Sequence, residues 1–506
     1  MKIFTSNEIK TIEQLTIEAQ SVSSIELMER AASAIACELI SRWTPSRKFI
    51  VFAGSGNNGG DALAVARLLI EQGYKVETFL FNIGGNNLSP QCLINRDKLL
   101  ELRHTDFFEF TQGEFSPPFI ADDDIVIDGL FGGGLNRPLT GGFQSMVRYI
   151  NENASTIVSI DIPSGLFSEW NAENDRNNII KATLTLSIGF PRLSFFFNEN
   201  ARFVGEVLIL DIDYDERAIA QTHSNMFLVE QANIQKALKP REPNCNKFDF
   251  GTLYLVAGSY GMMGAAVIAA KSALRTGCGT VTVHAPRCGM SVLQASVPEA
   301  MYVADKHEII PTDITPRRSY RTIAIGPGLG THKSTIDALE QFLNKHSEAP
   351  CVFDADALNC ICERPSLLEL LPVKSIITPH AGEFDRLFGK HFSDETRLRK
   401  AIEMAHFYNI IIVLKGRHSI IVRPDGRITV NISGNPGMAT PGSGDALTGI
   451  IASLLAQGYK PEVSAVAGAY IHAVAGNIAC SKKGSFGMLA SDIVDAIPSA
   501  LQKIIL

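Results

Sequence analysis

One pattern recurs along this chain and limits the folds open to it. A short, uninterrupted apolar run leads into a loop of glycine and small polar residues, and a helical stretch follows. "KFIVFAGSGNNGGDALAVARLLIEQG", from Lys48, is the first full instance. A strand that is apolar throughout is buried on both faces, and strands alternating with helices pack as a parallel sheet covered on both sides. "YKVETFLFN", "DDIVIDGLFGGGLNRPL" and "STIVSIDIPSGL" continue the series. Ahead of it, "SIELMERAASAIACELI" places Met28, Ala32, Ile35 and Leu39 on one helical face. Ligands of such sheets sit beyond the carboxyl ends of the strands, so these strand-end loops are expected to converge on one site.

The pattern restarts at "KFDFGTLYLVAGSYGMMGAAVIAAKSALRTGCGTVTVHAP" and runs through "TIAIGPGLG", "PCVFDADALN", "SIITPHAGEF", "IIIVLKGRHSIIV" and "TPGSGDALTG". A chain of 506 residues exceeds what one core usually spans. The polar stretch between residues 211 and 247 lacks long periodicity. It places a boundary near residues 215–230, giving domains 1–220 and 221–506. Both are expected to be α/β.

Composition excludes several classes. A net charge of −7, with no Lys/Arg cluster, argues against a nucleic-acid partner. Nine scattered cysteines without CxxC or zinc spacing fit reduced thiols of a cytoplasmic protein. The amino-terminal "MKIFTSNEIKTIEQLT" has no signal core, and no apolar run reads as a membrane span.

Several polar residues stand where chemistry would be expected. Asp445, where "TPGSGD" enters an apolar helix, has two readings. As a cap it would accept a backbone N–H. As a base it would take a proton from a hydroxyl beside an anion hole made of the same N–H groups. "AGSGNNGGD" lacks the GK[ST] of a P-loop, and its asparagines serve either a turn or a ligand. Asp128 and Asp161 each close an apolar strand, as caps or as site groups. Asp354 and Asp356 in "DADALN" suit capping or a magnesium–phosphate site. His380 begins "HAGEF" at a strand end, as a structural or a ligand-contacting group.

"GSGNNGGD", "DGLFGGGLNRP" and "DIPSG", in that order, resemble the YjeF N-terminal family of NAD(P)H-hydrate epimerases, with a Rossmann-like three-layer αβα fold. The resemblance covers about the first 215 residues. It implies that Asn57, Asn58, Gly59, Gly60 and Asp61 hold the phosphates and ribose of a hydrated nicotinamide nucleotide. Gly132, Gly133, Gly134, Leu135, Asn136, Arg137 and Pro138 would share that task. It further implies a potassium ion near Asn58, Asp128 and Ser164, with Asp161 at the nicotinamide end as catalytic acid/base. Ala62 stands where the family often has glycine, and Gly133 where threonine is common.

"GSYGMMGAA", "GPGLG", "TPHAGEF", "LKGRHS" and "NPGMATPGSGDALTG" resemble the ribokinase-like ADP- or ATP-dependent NAD(P)H-hydrate dehydratases, again αβα, over about residues 230–506. By that resemblance Asp445 is the catalytic base. Lys415, Gly416, Arg417, His418, Ser419 and Gly444 would contact the adenine nucleotide, carried with magnesium. Ala265, Gly328, His380 and Asp445 would contact the hydrated dinucleotide. Ala381 replaces the proline of the common "HPGE". The expected whole is a bifunctional repair enzyme, forming a homo-oligomer, that epimerises hydrated NADH and NADPH and dehydrates the S form. ADP is the expected donor, as in the fused bacterial arrangement. The competing expectation is a ribokinase-like small-molecule kinase fused to a non-catalytic binding module.

Overall fold

The apolar runs quoted above are strands in the computed structural model of the chain, which describes residues 1–84, 87–103, 106–111, 115–346 and 349–505. The chain divides into two units, Lys2–Ser224 and Asn225–Leu506, the latter with Met1.

The first unit holds a 7-stranded sheet ordered Asp106–Phe110, Lys75–Phe81, Lys48–Ala53, Ile125–Gly129, Thr156–Ile160, Leu184–Ile188, Glu206–Leu210. Every pairing is parallel. The chain order reverses between Lys48–Ala53 and Ile125–Gly129. That is the switch point at which a parallel sheet opens a crevice. Alternate residues of one strand serve opposite layers, as a two-residue period requires. Phe49, Val51 and Ala53 pack with Ala32, Ile35 and Leu39 of the Ser24–Arg42 helix. Ile50 and Phe52 pack with Met146, Val147 and Ile150 of the Gly142–Asn153 helix. The unit is a three-layer αβα stack.

In the second unit, parallel strands Thr252–Val256, Thr322–Ile325, Val352–Phe353, Ile376–Ile377 and Ile411–Leu414 lie side by side in that order. Thr280–Ala285 pairs on the other side of Thr252–Val256, so a second switch point falls there. Beyond Ile411–Leu414 the sheet turns antiparallel through Ser419–Val422 and Ile428–Asn431. The Ser443–Ala456 helix is apolar on all sides because both core clusters claim it. Leu447, Ile451 and Leu455 face one cluster, and Ala446, Ile450 and Leu454 the other.

One expectation needs correction. The helix Pro461–Gly487 is long and apolar enough by composition to cross a membrane, with mean hydropathy 1.4. Its residues are small ("SAVAGAYIHAVAG"), and 72% of that window is buried within the protein, so it serves as a core helix. The nine cysteines are all free thiols.

Candidate active sites

In the first unit the strand-end loops line one cavity of about 650 Å³. The Lys48–Ala53 strand delivers Asn57, Asn58 and Asp61, and the Ile125–Gly129 strand delivers Gly132 to Arg137. The next two deliver Asp161 and Arg192. The loop after the first strand is shorter than the sequence implies. The helix begins at Asn57, so the asparagines, Gly59, Gly60 and Asp61 form its opening turn. Gly56 caps it without a side-chain bond, so no side chain caps the first-turn N–H groups that a helix start offers to an anion.

Asp161 is buried and holds a left-handed backbone, φ 65°, which is costly for a residue with a β-carbon. Its Oδ2 accepts the Gly133 N–H at 2.9 Å, and its Oδ1 pairs with Arg192. A threonine side chain at Gly133 would begin 2.9 Å from Ser168 Oγ and 3.3 Å from Asp161 Oδ2, so glycine keeps this contact uncrowded. Burial, and then the charge of Asp161, raise the Asp61 carboxyl well above its usual range.

The residues expected at potassium gather at one place, where hydrogen bonds already tie both oxygens of Asp128. Asp128 is fully buried and accepts from Ser159 Oγ at 2.8 Å, from Ser164 N at 2.8 Å and from Ser164 Oγ at 2.5 Å. The Asn58 side chain reaches the same loop: its Oδ1 would lie 3.2 Å from a β-carbon placed on Gly132. Its Nδ2 is buried without a partner among the described residues, an N–H donor open to an acceptor that a ligand brings. Carboxylate, hydroxyl and amide oxygen are the donors a hard cation takes.

In the second unit the adjacent parallel strands carry the expected residues to one end. Ala265 follows Thr252–Val256, Gly328 follows Thr322–Ile325, Asp354 follows Val352–Phe353, His380 follows Ile376–Ile377 and Lys415 follows Ile411–Leu414. Gly328 has φ 63°, and a β-carbon there would lie 2.6 Å from Met262 O and 3.0 Å from Ala265 Cβ, so only glycine lets the two loops meet. Gly442, φ 89°, makes the turn that starts the Ser443–Ala456 helix, and it supplies no side-chain cap. Asp445 therefore stands inside the first turn and does not cap it. Among the described residues no hydrogen bond ties its carboxylate. Burial first, then the nearby Asp354 carboxylate, push it up to about 7, against the lowering effect of Lys415.

Lys415 organises the acids around it. Its ammonium donates to Asp354 Oδ1 at 2.8 Å and stands 3.8 Å from Glu383 Oε2. Thr448 Oγ1 donates to the other Asp354 oxygen at 2.6 Å. A β-carbon on Gly444 would lie 3.3 Å from Lys415 Nζ, so glycine leaves room for an anion between helix start and ammonium. His380 caps its helix: Nδ1 accepts the Gly382 and Glu383 N–H groups at 3.0 and 3.3 Å. That fixes its proton on Nε2, which stands 3.5 Å from Glu383 Oε1 on a half-exposed ring. In the Lys415–Ser419 turn, burial and then Arg417 lower His418 to about 4, so it is neutral.

Asp354 and Asp356 offer no ready metal cage. Both Asp354 oxygens are engaged, and Asp356 accepts from Gly330 N at 2.9 Å and Asn359 Nδ2 at 3.0 Å. Among the described residues no group of three or more His, Cys, Asp or Glu could hold a metal. The arrangement fits a magnesium ion that arrives on nucleotide phosphates and keeps its waters.

Sequence reasoning missed Arg192, Glu13, Tyr214 and Lys10, which line the cavity of the first unit, and the contacts of Thr448 with Asp354 and of Glu383 with Lys415 in the second unit. Arg192 follows the Leu184–Ile188 strand, one strand-end loop beyond those read as site loops. A further cavity, about 870 Å³ and lined by Phe250, Gly277 and Tyr459, lies at the opposite end of the Ser443–Ala456 helix from Asp445.

Fold and sites together define a two-unit α/β enzyme, a Rossmann-like unit followed by a ribokinase-like one. Residues 24–194 match the family described as YjeF-related protein N-terminus, and residues 253–499 the family described as NAD(P)H-hydrate dehydratase. A bifunctional NAD(P)H-hydrate repair enzyme from Moorella thermoacetica is 33% identical, spanning 100% of this chain and 97% of its own length. One from Thermofilum pendens is 31% identical over 99% and 96%. A solved ribokinase-like superfamily protein from Enterococcus faecalis V583 covers 56% of this chain and 97% of its own at 28% identity, with a TM-score of 0.50. The chain belongs to the family of bifunctional NAD(P)H-hydrate repair enzymes.

Proposed function

We propose that residues 1–220 interconvert the R and S hydrates of NADH and NADPH, and that residues 221–506 dehydrate the S hydrate using ADP, with release of AMP and phosphate. The observation that carries this reading is the untied, half-buried Asp445 carboxylate at a glycine-led helix start that faces Lys415.

Hydroxide leaves a tetrahydropyridine ring poorly, and phosphorylation makes it a better leaving group. Asp445 takes the hydroxyl proton as the oxygen bonds to the transferring phosphorus and the bond to the departing nucleotide breaks. The N–H group of Gly444, with the Lys415 ammonium, receives the negative charge on the moving phosphoryl. Magnesium bound with the nucleotide would neutralise phosphate charge. The ring nitrogen's lone pair then expels phosphate, and the C=N cation so formed loses a proton from the neighbouring ring carbon, which restores the reduced nicotinamide. Lys415 to Ser419 line the nucleotide, while Ala265, Gly328 and the Nε2–H of His380 hold the hydrated dinucleotide.

In the first unit the helix start at Asn57 to Asp61 and the Gly132–Pro138 loop cradle phosphate and ribose. Asn58, Asp128 and Ser164 would hold potassium, which would supply positive charge beside the phosphates. Asp161 faces the hydrated end of the nicotinamide.

A mixed-epimer assay tests the whole scheme. The wild-type chain with ADP should consume all of a mixture of R and S NADH hydrate and return full reduced-nicotinamide absorbance. Asp161→Asn should stop near the S fraction, with epimerisation slowed by about 100-fold or more for loss of the charge beside the reacting ring. Complete repair at an unchanged rate by that variant would remove the first assignment. Accumulation of a stable phosphoester by the wild type would replace the second with a kinase.

A further inference from the structure

The first helix, Ser6–Gln20, presents Ser6, Ile9, Lys10 and Glu13 to the epimerase cavity, a spacing that puts all four on one helical face. Ser6 fixes the helix there: its Oγ donates to Gly133 O at 2.5 Å, and its backbone N–H to Glu169 at 2.9 Å. The Tyr214 hydroxyl donates to Glu13 Oε1 at 3.3 Å. Glu13 and Tyr214 both lie outside the 24–194 match, one on each side.

Asp161 is poorly placed to shuttle a proton. One of its oxygens pairs with the Arg192 guanidinium and the other accepts Gly133 N–H. Arg192, 4% exposed, lines the same cavity and keeps Nε and Nη1 without a partner among the described residues. Those donors await acceptors that a ligand brings. Glu13 faces Asp161, Asp61, Tyr214, Arg192 and Lys10. Burial, then Asp161, raise its carboxyl above the usual range, and Tyr214, Arg192 and Lys10 oppose that. A carboxyl so placed keeps a proton to give.

We propose that Glu13 is the proton-transfer residue of the epimerase, acting on the hydroxyl of the hydrated ring carbon while Asp161, anchored by Arg192, stabilises the cation that forms. This rests on the epimerase reading of the first unit. Glu13 gives its proton to the hydroxyl oxygen. The C–O bond breaks, water leaves with the bonding pair, and the ring nitrogen's lone pair closes a C=N bond. Water adds to the other face of the flattened ring, and that C=N pair returns to nitrogen. The proton released by the incoming water goes back to the Glu13, Asp61 and Asp161 cluster, whose proton count is unchanged over the cycle.

The test uses the full chain and purified R hydrate of NADH, with chromatographic separation of the epimers across a range of pH. Glu13→Gln should lower kcat for epimerisation about 100-fold while KM changes by less than about 3-fold. Its dehydration of the S hydrate, read on the same chain, should stay at the wild-type rate and so report an intact protein. Glu13→Asp should recover about 10-fold of the loss. Tyr214→Phe should move the pH limb of epimerisation upward, because the hydroxyl it removes favours the Glu13 anion. Wild-type epimerisation by Glu13→Gln, or a pH limb unmoved in Tyr214→Phe, overturns the proposal while leaving the epimerase reading intact. Failure of the wild type to interconvert the epimers overturns both.

Discussion

Asp445→Asn should end dehydration and leave the protein folded with nucleotide bound. Loss of a positioned general base costs about 10²–10⁴-fold in rate, and a decrease of about 10³-fold in reduced-nicotinamide recovery is expected here. Three features separate this from a structural effect. The helix is started by Gly442, so the substitution removes no cap. Among the described residues the Asp445 carboxylate makes no hydrogen bond, so none is lost. The amide of Asn keeps the size of the side chain. Thermal unfolding should therefore match wild type, and nucleotide titration should give an unchanged Kd. The pH profile carries a second signature. Burial, with Asp354, pushes Asp445 up to about 7. The base acts only when ionised, so the wild-type rate should fall as pH drops below that value and level off above it. Phosphate release measured across that range checks the sign. A residual Asp445→Asn rate near wild type, or a profile flat through neutrality, would move the base elsewhere.

The local motif alone left Asp445 ambiguous, and only the family resemblance favoured the base. "GSGD" before an apolar run reads equally as a cap and as a base, because both need a carboxylate at a helix start. What separates them is the position of the cap, and that is set by the φ of Gly442, a backbone fact that no periodicity carries. The strands were legible for the opposite reason. Burial on both faces forces runs such as "FIVFA" and "LYLV" to be apolar throughout, and glycine marks where each must turn.

Glu13 and Arg192 were not legible, each for its own reason. Glu13 sits in "EIKTIEQLT", whose buried residues Ile9, Ile12 and Thr16 look like those of any surface helix. Arg192 follows an apolar strand, but "GFPRLSFFF" lacks the run of small residues that marked the other loops. The Asn57–Asp61 turn was read as loop because glycine and asparagine disfavour helix. Tertiary burial, with Gly59, Gly60 and Asp61 all buried in the helix start, outweighs that local preference. Pro461–Gly487 has the length and composition of a membrane span for a related reason, since small apolar residues suit a packed core helix as well as lipid.

Lys415→Met is expected to damage the second unit twice, in stability and in rate. The ammonium is the cation shared by Asp354, Glu383 and Asp445. Asp354 is 1% exposed at its side chain, and without Lys415 only Thr448 among the described residues still donates to its carboxylate. Stranding a buried carboxylate in this way costs about 2–3 kcal/mol, at the lower end for broken buried pairs because the Lys415 side chain remains 20% exposed. Calorimetry should show the loss in the unfolding of the dehydratase unit. Catalysis suffers separately. Lys415 lowers the Asp445 carboxyl, so its removal should shift the acid limb of the rate profile to higher pH. It also withdraws the positive charge proposed to meet the transferring phosphoryl, and at saturating pH the rate should still fall by about 100-fold or more. Lys415→Arg divides the two effects. Its charge should restore most of the stability. Its planar head is larger, and a β-carbon at Gly444 already would lie only 3.3 Å from the Nζ it replaces, so guanidinium fills space the anion needs. That variant should fold like wild type and remain slow. Recovery of both properties together would make bare charge sufficient, and the fitted ammonium pocket beside Gly444 would lose its role.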